Sequence, residues 1–227
     1  LLAGCIQDEW FRPVNRAAVT LLEMAGYTVT VPEGQTCCGA LAAHDGKADA
    51  AEGFEARNVD ALGGFDLVVA TAAGCSAHLA GYEWPVYSPE TLDVTVAVAR
   101  AIEEGALPTV DRFRGQIAIQ DPCHLRHAQR VVVEPRQVLA AAGYEVVETD
   151  PAGLCCGAAG MYTVLQPEAS AKLGAQKAGQ VQATGLEKVA SANPGCEMQL
   201  RSHLPSGFDI RHPIEWYLDS LAAEGRV

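Results

Sequence analysis

The sequence predicts an α/β protein built as two pseudo-equivalent three-layer α/β/α halves with mainly parallel sheets, related by internal duplication. Two observations carry this. Short apolar runs alternate with stretches whose apolar residues recur at three- and four-residue steps, and strands alternating with helices imply parallel sheets. The eight cysteines also fall into two matching sets, at 5, 37, 38 and 75 and at 123, 155, 156 and 196. The spacing from Cys5 to Cys37 equals that from Cys123 to Cys155, and each adjacent pair runs into a glycine, Gly39 or Gly157. The flanks repeat as well: LLEMAGYTVTVPEGQTCCGA parallels VLAAAGYEVVETDPAGLCCGA, and FDLVVATAAGC parallels LEKVASANPGC. Such self-similarity at a fixed spacing is the mark of a repeat. The halves are expected at 1–112 and 113–227, with Pro108 and Gly115 flanking a polar turn near the junction.

Within each half the elements follow in one order. Residues 1–4 and 116–120 are short apolar strands running into a cysteine. Residues 13–25 and 134–142 are helices by apolar spacing, stopped at Gly26 and Gly143, since a glycine past the helix end accepts left-handed backbone. Residues 27–31 and 144–148 return as strands, and a loop containing proline or glycine then delivers Cys-Cys-Gly. Helices follow over 48–62 and 167–183, and strands at 67–72 and 189–192 carry the chain to Gly74-Cys75 and Gly195-Cys196. A short helix, a strand (85–87 and 208–211) and a helix begun by proline (Pro89, Pro213) close each half, proline being favoured in a first helical turn.

Charge excludes several functions. The 227 residues include 16 Lys and Arg against 28 Asp and Glu, a net charge of −12. Phosphate backbones and anionic lipid surfaces both require clustered cations, so neither nucleic acid nor a membrane surface is the expected partner. Uncharged apolar stretches such as 67–75 fall short of the roughly 18 residues that span a bilayer, so direct membrane insertion is not expected either. The expectation is a soluble, cytoplasmic protein that meets the inner face of a membrane only through partners. A chain of this size builds a core without disulfide staples, so its cysteines read first as metal or redox ligands. Leu1 is not an initiator methionine, and sequence upstream is expected.

All eight cysteines fall just after a strand or at a loop entering a helix, and in open parallel sheets ligands collect beyond the carboxyl ends of the strands. Each set of four is therefore expected to converge in its own crevice. Helix N-termini there favour thiolate anions through unpaired N–H groups. Gly39 and Gly157 fit by letting the backbone approach a bulky inorganic core, and Gly74 and Gly195 do so from the opposite side. Four thiolates per crevice is the ligand count of one [4Fe–4S] cluster. Structural zinc is an alternative, although zinc sites usually draw on short C-x-x-C knuckles and neither half has one. Disulfides are the other, with adjacent cysteines poor partners for each other.

Cysteine, spacer, Cys-Cys-Gly, spacer and cysteine, occurring twice, resembles the CCG cysteine-rich domain. That domain is found in the cysteine-rich subunit of heterodisulfide reductase, in lactate-utilisation iron–sulfur proteins and in the iron–sulfur subunit of glycolate oxidase. The strings CCGALAAHDG, DPCHLRHAQ, CCGAAGMYTVLQPE and NPGCEMQL resemble the glycolate oxidase subunit most closely, and the resemblance covers essentially the whole chain. It implies that Cys5, Cys37, Cys38 and Cys75 hold one [4Fe–4S] cluster and Cys123, Cys155, Cys156 and Cys196 another, with zinc or no metal as the alternative in one site. It also implies an upstream ferredoxin-like segment of the same protein. In the heterodisulfide reductase branch each motif ends in C-x-x-C, giving five thiolates to a non-cubane cluster. Here His78 and Gln199 stand at those places, so that cluster is not carried over. His78 can serve as a nitrogen ligand, and imidazole in place of thiolate raises a cluster's potential.

His44 and His124 read as hydrogen-bonding neighbours of cluster sulfur or as proton carriers to an acceptor, His127 less so, and His203 and His212 as structural. Asp121-Pro122 and Asn193-Pro194 form turns that aim the following cysteines. Arg126, Arg130 and Arg136 read as solvated surface. No Ser/His/Asp set or phosphate loop is present, and GCSAHLAG lacks the glycine spacing of a dinucleotide motif. The resemblance implies an iron–sulfur electron-transfer subunit of a flavin-dependent glycolate or 2-hydroxyacid dehydrogenase. It would take electrons from a flavin-containing dehydrogenase subunit and pass them towards a quinone or other acceptor, without catalysing turnover alone. A heterodisulfide reductase-like catalytic subunit and a zinc-binding structural module are the rival expectations.

Overall fold

The computed structural model describes residues 1–85 and 87–227. The first half runs α1 (Ile6–Trp10), α2 (Arg12–Met24), α3 (Ala40–His44), α4 (Ala48–Leu62), β1 (Leu67–Ala70), α5 (Ala73–Leu79), β2 (Glu90–Asp93) and α6 (Val94–Glu103). The second runs β3 (Gln116–Gln120), a π-helical turn over His124–Ala128, α7 (Val133–Ala141), β4 (Glu145–Glu148), α8 (Tyr162–Leu165) and α9 (Pro167–Gln182). It closes with β5 (Lys188–Ser191), α10 (Pro194–His203), β6 (Asp209–Arg211) and α11 (Pro213–Ala222).

Every described strand pairing is parallel, as alternating strands and helices require. The second half forms a sheet of order β4-β3-β5-β6. In the first half β1 pairs with β2, while Leu2 makes a single parallel bridge to Ala70 and the Leu1 amino group donates to the Thr30 carbonyl at 2.7 Å. Side chains alternate across these strands and feed two different layers. Ile117 and Ile119 pack with α7 and α11 in the main core, whereas Ala118 faces Ala178, Val181 and Leu200 of α9 and α10. Val69 likewise joins the main core, and Val68 and Ala70 face Leu62 of α4 and Leu79 of α5. Both sheets are thus covered on both faces. The main core unites Leu21, Val98 and Leu107 with Val138, Leu139 and Tyr217, crossing the expected junction.

Several expected elements differ. The strand at 27–31 does not form: Tyr27 and Val31 are exposed, and Pro32 has no N–H to extend a ladder. Residues 1–4 keep only the Leu2 bridge. The strand placed at 85–87 includes Val86, outside the described residues; the strand pairing β1 is β2, over Glu90–Asp93. The helix expected from Pro89 begins at Val94, because the buried Asp93 carboxylate accepts from the Thr95 N–H at 2.9 Å and caps it. The short helical turns after Cys5 (α1) and Cys123 carry too few residues for periodicity to reveal.

Candidate metal centre

The strand ends deliver the cysteines. Beyond β3 the chain turns through Asp121-Pro122 to Cys123, beyond β4 a loop leads to Cys155 and Cys156, and beyond β5 lies Cys196 in the first turn of α10. In the first half Cys75 occupies the first turn of α5 beyond β1. Sulfur atoms meet in pairs: Cys5 and Cys37 at 3.3 Å, Cys38 and Cys75 at 3.0 Å, Cys123 and Cys155 at 3.9 Å, Cys156 and Cys196 at 3.0 Å. All eight cysteines are free thiols.

The structure corrects one expectation at this point. The two sets do not occupy separate crevices; all eight cysteines line one cavity of about 500 Å³. The strand ends of the two halves face each other, with the Ala73 N–H donating to the Ala192 carbonyl and the Gly74 N–H to the Asn193 side-chain oxygen, both at 3.2 Å. A separate hollow of about 300 Å³ beside Phe113 and Tyr144 contains no cysteine or histidine.

Thiols packed this way resist joint ionisation. A hydrogen bond to Cys37 pushes the Cys5 thiol up, with burial adding to it; the bond to Cys155 and then burial do the same for Cys123. Cys156 is raised by its bonds to Cys155 and Cys196. Cys155 moves the other way, its thiol pulled down by hydrogen bonding from Cys123 and then Cys156. The Gly157 N–H at 3.4 Å also supports it. A bound cationic core would relieve this crowding, because coordination deprotonates every thiol. No three Cys, His, Asp or Glu among the described residues close on the one point that a single ion needs. Eight cysteine sulfurs around one cavity are the donor type and number that two iron–sulfur clusters take, and in that sense the residues present fit such a group.

The remaining candidates separate clearly. His44 and His124 line the cavity with ring centroids 5.1 Å apart, and His124 Nδ1 lies 3.5 Å from the Cys123 sulfur. His78 does not line it: its ring packs against Tyr82, and its Nε2 has no hydrogen-bond partner among the described residues. Gly39 and Gly157 also lie outside the lining. Both have positive φ, and a side chain would strike the helix behind: Ala51 O at 3.2 Å for Gly39, Ser170 O at 2.8 Å for Gly157. Positive φ and close packing on α4 and α9 are by themselves reason for glycine there. Arg126 and Arg136 are not solvated surface either. Their guanidinium groups pair with the buried Asp121 carboxylate at 2.6 and 2.9 Å, bracing the turn before Cys123. His127 donates to the Gly153 carbonyl, His203 bonds within α10, and His212 caps α11.

Sequence reasoning missed the residues that hold the Cys-Cys loops. In the first half the fully buried Asn58 accepts from the Thr36 N–H and donates to the Cys37 carbonyl and the Tyr82 hydroxyl, while that hydroxyl donates to the Cys38 carbonyl at 2.7 Å. In the second, Asp150 accepts from the N–H groups of Ala152 and Leu154 and from buried Lys177 at 3.0 Å. The signal was a polar residue on an apolar helix stripe: Asn58 between Ala51 and Leu62, and Lys177 among Gly174, Ala178 and Val181.

The chain matches the model of the cysteine-rich domain family CCG over residues 1–80 and again over 117–201. It belongs to that CCG cysteine-rich domain family. It is 33% identical over 213 residues to the probable glycolate oxidase iron-sulfur subunit of Bacillus subtilis (strain 168), covering 88% of this chain and 48% of that one. It is 33% identical over 204 residues to a subunit of the fumarate reductase (CoM/CoB) of Methanothermobacter marburgensis, covering 88% of this chain and 41% of the other. Lactate utilization protein A of Oceanobacillus iheyensis is 24% identical over 223 residues, 93% of this chain and 91% of that protein. The CCG chain described here thus spans less than half the length of the first two relatives. No described helix is long and apolar enough to cross a membrane.

Proposed function

We propose that this CCG chain is the iron–sulfur electron-transfer region of a flavin-dependent 2-hydroxyacid dehydrogenase of the glycolate type, with a flavin subunit as partner and a ferredoxin-like segment upstream. The observation that carries the reading is the gathering of eight free cysteines around one cavity; we take them to come from two duplicated halves, 1–112 and 113–227. Cys5, Cys37, Cys38 and Cys75 would hold one [4Fe–4S] cluster and Cys123, Cys155, Cys156 and Cys196 the other. A bound cluster supplies one-electron storage. The chain's own residues hold the thiolates, brace their loops and narrow water access. Among the described residues no Lys, Arg, Asp or Glu lines the cavity, so no fixed cation there awaits a substrate carboxylate. That supports oxidation of the hydroxy acid on the partner rather than here.

Anaerobic reconstitution with iron, sulfide and zinc counts and EPR tests the assignment. About four iron and four sulfide per cysteine set are expected, with Cys38→Ser and Cys156→Ser each removing one set's share. Mixing the reconstituted chain with its flavin subunit should restore acceptor reduction. Zinc bound without iron or sulfide would overturn the reading. A second reading, cleavage of a disulfide at a cluster, gains support from both cysteine sets facing one cavity; it requires that added disulfide change the EPR signal.

A further inference from the structure

We propose that Asn193 is a positioning residue for the second metal centre: its side-chain amide donates to the Cys196 sulfur and raises the potential of the centre held there. The inference rests on the electron-transfer reading. Its first support is a helix cap turned away from its own helix. Asn193 stands at the N-cap of α10, where an asparagine side chain ordinarily accepts from an N–H of the first helical turn. Here it makes no such bond. Its Oδ1 instead accepts from the Gly74 N–H of the other half at 3.2 Å, and its Nδ2 lies 3.6 Å from the Cys196 sulfur. The bond to Gly74 fixes which way the amide faces. A backbone N–H can only donate, so the atom that meets it is the oxygen, and the amide nitrogen is turned to the sulfur.

The second support is the first half, where the matching place has no donor. Asn193 stands three residues before Cys196, and three residues before Cys75 stands Ala72, the N-cap of α5. Among the described residues, the side-chain hydrogen bonds of the first set's sulfurs run only from cysteine to cysteine. Gly195 leaves room for the amide in the second half, since a Cβ there would stand 3.3 Å from Asn193 Nδ2. Hydrogen bonds to sulfur are among the levers that set a cluster's potential. Electron uptake adds negative charge to the sulfurs, and a fixed N–H dipole aimed at one of them favours the reduced form. The chain carries this lever at one set of cysteines and lacks it at the other.

The test is an EPR-monitored redox titration of the reconstituted holoprotein and of Asn193→Ala, with the signal that Cys156→Ser abolishes assigned to the second centre. The variant should move that centre about three- to tenfold towards its oxidised form, a fall of about 30–60 mV for one electron, and leave the first centre where it was. Pulsed EPR of unsubstituted protein labelled with 15N-asparagine should show a nitrogen coupled to the reduced second centre, and Asn193→Ala should remove it. An unchanged second centre in a variant with full iron and sulfide would overturn the proposal. Equal movement of both centres would do so too, since loss of the Gly74 contact alone would then explain it. If the variant takes up no iron, the labelled unsubstituted protein decides: no coupled asparagine nitrogen there overturns the proposal. Unsubstituted protein that takes up no iron overturns the electron-transfer reading itself, and this inference with it.

Discussion

The two Cys-Cys loops occupy matched places in the sequence, yet different chemistry holds each of them. The first is tied by neutral groups, the Asn58 amide and the Tyr82 hydroxyl, which bond the carbonyls of Cys37 and Cys38 directly. The second is tied by charge: Lys177, 1% exposed, meets Asp150, whose oxygens gather the N–H groups of the approaching turn. The helix caps at the end of each half diverge in the same way, with buried Asp93 capping α6 and buried His212 capping α11. A neutral latch loses only its hydrogen bonds when cut. An ionic latch cut on one side leaves a buried charge alone. The halves should therefore fail differently.

The largest difference is expected at Lys177. Lys177→Met strands the Asp150 carboxylate and should destabilise the protein by about 3–5 kcal/mol in urea unfolding. Iron should be lost from the second set of cysteines before the first. Adding Asp150→Asn should recover part of the stability. No loss in the single variant would mean the two latches are equivalent after all.

The caps predict pH slopes of opposite sign. Burial pushes His212 down to about 3, while an unfolded histidine titrates near about 6.5. The stability tied to its neutral form is present above that value and is lost as pH falls towards about 3, by up to about 1.4 kcal/mol per pH unit. Burial raises Asp93 instead, against the hydrogen bonds from Thr95. Its contribution is present below the unfolded carboxylate value and is lost as pH rises through the folded one. His212→Asn, which keeps a capping side chain, should flatten the acid limb of stability against pH, and Asp93→Asn the other. Identical slopes in both variants would erase the distinction.

Smaller effects should follow at the neutral latch. Asn58→Ala leaves buried partners at Thr36, Cys37 and Tyr82 and should cost about 2 kcal/mol by thermal melting, with iron released first from the first set. Tyr82→Phe removes one hydroxyl and should cost about 1 kcal/mol, read most sensitively in the EPR line shape of the centre at Cys38. A larger loss in Tyr82→Phe than in Lys177→Met would invert the comparison.

Much of this was legible beforehand. The helix expected at 48–62 matches α4 in both bounds, because its ends are marked by polar residues and glycine. The strands at 116–120 and 208–211 formed, one in full and one nearly so, the central strand by burying Ile117, Ala118 and Ile119 and the edge strand β6 by burying Ile210. The strand at 27–31 did not, because an exposed edge leaves the same apolar letters with little to pair against. Asn58 and Lys177 went unnoticed because a buried polar residue and a solvated one look alike until the helix face it occupies is known.

Spacing alone set out two groups of four cysteines, each drawn from remote points, and the alternation of strand and helix implied that strand ends would carry them. Those features are local or periodic, and the chain displays them in one dimension. That both groups open into one uncharged cavity, that Asp121 binds two arginines, and that one loop is latched by an amide and the other by an ion pair were decided by packing. Contacts such as Ala73 with Ala192 and Lys177 with Asp150 join residues distant along the chain. Their energies depend on burial and on the partner, and neither quantity is written at a single position.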